Sequence, residues 1–290
     1  MNFFVPGKTF LVGEYSVLLG GAAIGLATRP YFEFQVTQAD EATEFHPESP
    51  AGLYLKAHNE RCLSLFKDAY AIGGFGRSTA EYFAAITPDL LKAKKSFFDI
   101  LKEYKQLHSH KSVKPSGIDL AFQFFGNVTL AEPQLNFYQS LDWNLVNLDF
   151  YLISSGLKLN THEHLAKLEL TSLQELIPVS EQAIKSYTAS DEKQFLEDMK
   201  RWCDLLDEKN LTHLNSVHVR KHLEKNPDVK LVKPCGALGA DVLIVFFEPE
   251  KADYIKNFLI ESKFKIQAHS HDLANGLNSQ LREYWSQNVD

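Results

Sequence analysis

An α+β fold is expected for this chain on three observations. Residues 31–37 alternate strictly, with Phe32, Phe34 and Val36 against Glu33, Gln35 and Thr37, the two-residue period of a half-buried strand. Residues 148–154 and 242–247 are apolar at nearly every position, as in strands covered on both faces. Interleaved with these are stripes of helical period, clearest over 191–208, where Phe195, Met199, Trp202, Cys203 and Leu206 share one face and Asp191 with Gln194 can cap the start. With 290 residues and 44% hydrophobic content the chain can fill one large core or two modest ones. A soft boundary near Gly156, where Ser154-Ser155-Gly156 breaks the pattern, divides it into 1–156 and 157–290.

The remaining elements follow in order. Phe3-Phe4-Val5, Pro6-Gly7-Lys8-Thr9 and residues 10–15 predict short strands broken by a Pro-Gly turn, with another buried strand over 22–27. Residues 40–52 hold four acids and two prolines and predict an exposed loop. Leu55, Cys62, Leu63 and Phe66 fall on one helical face. A later helix is expected to start at Thr87-Pro88-Asp89, with cap, proline and acid in order, and to carry Leu90, Phe97, Leu101 and Tyr104. Residues 127–130 predict a strand, the segment to about 224 is mostly helical, and 252–262 and 264–268 predict a helix and a strand.

A net charge of -7 and a pI near 5.9 argue against a nucleic-acid binder, which needs a basic surface. Cys62, Cys203 and Cys235 are odd in number and widely spaced, so neither a disulfide framework nor a zinc site is indicated, and a reducing cytoplasm is the expected setting. The apolar run 11–27 contains Glu14 and four glycines, which argues for buried strands rather than a membrane segment. His108 with His110, His162 with His164, and His269 with His271 suit one face of a strand. No third ligand is evident for any pair, so they are read as surface or turn histidines.

Three glycine motifs carry the chemistry. In Gly73-Gly74-Phe75-Gly76-Arg77-Ser78-Thr79-Ala80-Glu81, glycines can turn backbone N–H groups toward phosphate oxygens, and the helix that follows adds the positive end of its dipole. The plainer reading is a tight turn in which Ser78 and Glu81 form a capping box. Pro115-Ser116-Gly117-Ile118-Asp119 offers a carboxylate, or simply a cap through Ser116 and Asp119. Lys233-Pro234-Cys235-Gly236-Ala237-Leu238-Gly239-Ala240-Asp241 is a second glycine loop, or a turn before a buried strand.

Together with the opening Pro6-Gly7-Lys8-Thr9-Phe10-Leu11-Val12-Gly13-Glu14-Tyr15-Ser16-Val17-Leu18, these motifs in this order resemble the GHMP kinase superfamily, and most closely its mevalonate and phosphomevalonate kinases. The resemblance implies a two-domain fold with the active site in the cleft between domains. It implies a cytoplasmic ATP- and Mg²⁺-dependent kinase that phosphorylates mevalonate or phosphomevalonate.

By the same resemblance Asp119 is the carboxylate beside the acceptor hydroxyl and Lys8 the cation that keeps it ionised. Gly74, Gly76, Arg77, Ser78 and Thr79 line the nucleotide phosphates, with Ser78 reaching Mg²⁺. Glu14, Tyr15, Ser116, Gly236 and Ala237 lie near the substrate. Three residues depart from the pattern. Arg77 replaces a serine, so its guanidinium pairs a phosphate or turns outward. His108 stands where mevalonate kinases carry a Mg²⁺-holding glutamate, and a histidine is a poor ligand for that hard ion. Tyr15 replaces a histidine. Two other readings stay open: a GHMP-fold protein that binds a small molecule or partner without transferring phosphate, and a diphosphomevalonate decarboxylase. The expected partner is a small-molecule substrate, with no nucleic acid or membrane, and a homodimer is a candidate assembly.

Overall fold

The computed structural model describes residues 1–37, 42–59, 64–69, 74–108, 115–154, 173–236, 238 and 242–288. Two antiparallel sheets organise it. The first holds β1 (Asn2–Val12), β2 (Ala23–Val36), β3 (Ser64–Lys67), β4 (Val128–Glu132) and β5 (Phe137–Leu141). Its order is β1-β2-β4-β5, with β3 also paired to β2. The second holds β6 (Asp149–Ser154), β7 (Val229–Cys235), β8 (Val242–Phe247) and β9 (Lys265–His269) in the order β7-β8-β6-β9. The described helices are α1 (Pro50–Ala57), α2 (Arg77–Lys92), α3 (Phe97–Leu107), α4 (Ile118–Phe125), α5 (Leu176–Thr188), α6 (Glu192–Glu208), α7 (Leu214–Leu223), α8 (Ala252–Glu261) and α9 (Leu277–Gln287).

The expected α+β class is what the chain adopts. β6 and β8 are buried at every position, because alternate residues enter cores on opposite faces of the second sheet. Phe150, Leu152, Ile244 and Phe246 join the large core with Phe195, Met199 and Trp202 of α6. Tyr151, Ile153, Leu243, Val245 and Phe247 join a second core with Leu223 of α7 and Ile255 and Leu259 of α8. α6 has the stripe expected of it, and Asp191 caps it by accepting from the Gln194 amide.

Four local expectations are corrected. β1 runs unbroken through Pro6-Gly7, with a register shift there opposite Arg29 and Pro30, so Pro6 sits at an irregularity of the ladder, where a strand tolerates proline. The two strands expected over 22–27 and 31–37 are one, β2. Leu55 and Phe66 do not share a helix: α1 ends at Ala57, and Phe66 lies in β3, paired with Phe34 and stacked on Phe32. Cys62 and Leu63 lie outside the described residues, as does Gly156.

The fourth correction is at Thr87-Pro88-Asp89, which lies inside α2 rather than starting a helix. Proline lacks the N–H that would reach the carbonyl of residue 84. Ser64 Oγ in β3 donates to that Ala84 carbonyl at 2.6 Å, so a strand residue replaces the missing helix bond. The break comes later, and Ser96 with Asp99 forms the capping box that starts α3.

α9 returns to the first sheet. Gln280 accepts from the Phe4 amide at 2.9 Å and donates to the Phe4 carbonyl at 2.6 Å, covering part of the β1 edge. Trp285 Nε1 donates to the Leu90 carbonyl at 3.0 Å. No described helix is long and apolar enough to cross a membrane.

Ser64→Ala would leave the Ala84 carbonyl buried without its donor. Urea unfolding should show a loss of about 1–3 kcal/mol. In a Pro88→Ala background, where residue 88 regains an N–H, the same substitution should cost less than about 1 kcal/mol.

Candidate active site

Three segments far apart in sequence meet at one point. Gln123 of α4 donates through Nε2 to the Pro6 carbonyl of β1 at 3.0 Å and to the Gly76 carbonyl at 3.2 Å. Its Oε1 and the Gly76 carbonyl, the latter at 2.8 Å, share the single proton of Thr79 Oγ1. The Lys8 amide donates to the Phe75 carbonyl at 2.9 Å. One buried carboxamide therefore fixes the strand, the glycine loop and the helix together. Gln123 carries no motif, so the sequence gives no signal of it.

That junction brings the two residues expected at the chemistry into contact. Lys8 Nζ lies 2.9 Å from Asp119 Oδ2, with the lysine side chain 11% exposed and the carboxylate 38% exposed. The ammonium also stands 5.1 Å from the centre of the Phe10 ring. Asp119 sits in the first turn of α4, whose N-cap Gly117 has φ 76°, and a Cβ there would come within 2.2 Å of Leu101 Cδ1. The cap through Ser116 and Asp119 is not formed: Ser116 Oγ accepts weakly from the Ile118 amide at 3.4 Å, and Asp119 turns to Lys8.

The glycine loop closes against the same lysine. Gly76 has φ 83°, and a Cβ on it would lie 2.7 Å from Lys8 Cγ, so only glycine allows this approach. No side chain caps α2: its N-cap is Gly76, which puts Ser78 inside the first turn, so the Ser78 to Glu81 capping box is absent and Glu81 pairs with Arg77 at 2.8 Å. Arg77 also pairs with Asp68 at 3.3 Å, so its guanidinium is turned to two carboxylates. Gly74 and Ser78 are exposed and Thr79 is buried. An open helix start behind a glycine turn fits a polyphosphate.

For Mg²⁺, the exposed Ser78 hydroxyl and the Asp119 carboxylate are hard-oxygen donors among the described residues here, the nearby Asp68 and Glu81 carboxylates being paired with Arg77. That small set suits an ion that keeps its waters and arrives bound to phosphates. His108 is no substitute ligand: it is 2% exposed at the end of α3, with Nδ1 2.9 Å from the Tyr104 carbonyl.

Glu14 and Tyr15, expected near a substrate, make contacts within the protein. Glu14 Oε1 lies 2.7 Å from Lys233 Nζ of β7, both side chains at most 1% exposed, and Lys233 also donates to the Phe10 carbonyl at 3.3 Å. Burial pushes the Glu14 carboxyl above its usual range, against the pull of Lys233. The Tyr15 hydroxyl donates to the Leu211 carbonyl at 3.0 Å and accepts from the Leu238 amide at 2.8 Å. The first motif thus anchors the third. Gly236 is partly exposed with open space beside it, while Ala237 lies outside the described residues. Cys203 and Cys235 are free thiols, which burial pushes up to about 12 and about 11, so neither is a ready nucleophile.

Lys233→Ala would strand the Glu14 carboxylate in the core. Denaturant unfolding at neutral pH should show a loss of about 3–5 kcal/mol. The deficit should shrink as the pH falls, because a protonated Glu14 leaves no buried charge.

No protein-family model and no curated protein matches the chain, but solved structures resemble it over nearly its whole length. Mevalonate kinase of Methanococcus jannaschii is 17% identical with a TM-score of 0.67, over 95% of this chain and 98% of that one. Phosphomevalonate kinase of Streptococcus pneumoniae, in complex with phosphomevalonate and AMPPNP, is 13% identical with a TM-score of 0.71, over 93% and 99%. Galactokinase of Lactococcus lactis, complexed with galactose, is 12% identical with a TM-score of 0.70, over 95% and 94%. The fold that sets Lys8 and Asp119 against the glycine loop is therefore that of the GHMP kinases.

Proposed function

We propose that this chain is an ATP-dependent small-molecule kinase acting on mevalonate or phosphomevalonate. The observation that carries the reading is the 2.9 Å contact of Lys8 with Asp119 beside an uncapped helix start and glycine turn. Phosphoryl transfer requires positioning, charge neutralisation and a group that orients the nucleophile, and these residues supply all three.

ATP, with Mg²⁺, supplies the phosphoryl group. The backbone amides at the start of α2 would hold its phosphates, and Ser78 would offer its hydroxyl to the ion. Asp119 holds the acceptor oxygen through its proton and receives that proton as the oxygen bonds to phosphorus and ADP departs. Lys8, 2.9 Å from that carboxylate, offsets negative charge on the transferring group. With a phosphate acceptor little proton removal is needed, and Asp119 mainly orients. Residues 1–156 carry this machinery in the proposal, and 157–290 close the site through Gly236 and Leu238.

The pairing of Arg77 with Asp68 and Glu81 removes one motive for the non-catalytic reading, since the guanidinium does not need a phosphate partner. ADP release from MgATP, with mevalonate and phosphomevalonate offered separately, tests the proposal. Turnover is expected on one of them, and Asp119→Asn should lower it by about 10²- to 10⁴-fold while changing ATP affinity little. Activity surviving within a few-fold would remove Asp119 from the chemistry, and ATP binding without ADP formation on either acceptor would favour a binding protein. Release of CO₂ would point to the decarboxylase.

A further inference from the structure

We propose that Asp149, His269 and His271 form a binding site for a divalent transition-metal ion of the zinc class, separate from the phosphoryl-transfer site. Asp149 opens β6, and His269 ends the neighbouring antiparallel β9, so strand pairing brings them to the same end of the second sheet. His271 follows in the turn Ser270–Asp272. One ligand atom from each of the three lies within 4.8 Å of the other two, and among the described residues they form the group with this property.

The first two are already at the spacing of shared ligands. His269 Nε2 and Asp149 Oδ2 are 3.0 Å apart. Two atoms each about 2.1 Å from one ion lie about 3.0–3.4 Å from each other, depending on the angle between them. His269 Nε2 is buried, and the Asp149 carboxylate faces it across that 3.0 Å. An ion between them would satisfy both. His271 must close from within 4.8 Å to that spacing, by up to about 1.4–1.8 Å, and it is exposed and able to turn. Loading through Nε2 puts the ring proton on Nδ1. That releases the 3.4 Å contact that Nδ1 accepts from the His271 amide, a weak bond at an exposed turn.

The surroundings hold these ligands in place. Asp149 Oδ1 accepts from the Phe150 amide at 2.7 Å, and the His269 amide donates to Asp272 Oδ2 at 3.0 Å. Arg29 pairs with Asp272 at 3.2 Å and donates to the His271 carbonyl at 3.0 Å, and Tyr151 packs on the His269 ring. Such supporting bonds orient metal ligands and raise affinity. Two imidazoles and one carboxylate select a borderline ion such as Zn²⁺ over Mg²⁺, which takes oxygen donors. The ion would join the start of β6 to the turn after β9.

Zn²⁺ titration of the full chain without nucleotide, by calorimetry and thermal unfolding, tests the assignment. One equivalent should bind the wild type at least about tenfold tighter than it binds His271→Ala, and should raise the melting temperature of the wild type only. His271→Cys, which restores a zinc ligand, should recover binding. Equal Zn²⁺ affinity and equal thermal shifts in wild type and His271→Ala would overturn the site. So would a weakened His271→Ala that His271→Cys does not rescue.

Discussion

The Gln123 carboxamide is the contact on which the candidate active site depends. It is buried, and its two ends bond the Pro6 carbonyl, the Gly76 carbonyl and the Thr79 hydroxyl. Lys8 stands two residues beyond Pro6, and Asp119 one helical turn before Gln123, so one side chain sets the separation of the reacting pair and the place of the loop beside it. A buried amide that loses a partner is destabilised by about 1–3 kcal/mol per group left unpaired. The junction therefore has one low-energy arrangement, which is the preorganisation that charge stabilisation in a transition state requires.

The first motif faces two ways. Lys8 serves the loop and α4, while Glu14 and Tyr15 reach the second half through Lys233, Leu211 and Leu238. A buried charge pair adds little net stability over an apolar one, but it penalises any arrangement that separates its members. Glu14 and Lys233 thus act mainly to fix how β1 and β7 sit together, and the Tyr15 hydroxyl carries that registration to Leu238 of the third motif.

Much of the fold was legible because its signals are local. The apolar runs of β6 and β8 announce strands buried on both faces, and the stripe and cap of α6 announce a helix. Sequence reasoning failed where a distant residue decided a local outcome. Pro88 reads as a helix start until Ser64 is seen bonding the carbonyl it leaves open. Ser78 and Glu81 read as a capping box until the helix is seen to start at Arg77, behind Gly76. Leu55 and Phe66 keep helical spacing by coincidence, since Phe66 stacks on a strand. The motifs marked Lys8, Asp119 and the glycine loop, but not Gln123 or Lys233, whose partners lie from 44 to 223 residues away. Asp149 is likewise distant from the histidine pair, which is why no third ligand could be read beside it.

Lys8 and Asp119 acting as one phosphoryl-transfer unit is the central claim, and a rate cycle tests it most directly. ADP release would be measured on the productive acceptor for wild type, Lys8→Met, Asp119→Asn and the double variant. A shared unit predicts a double variant no slower than the slower single one, because either change alone disables the pair. Losses that multiply, as for two independent groups, would contradict the account.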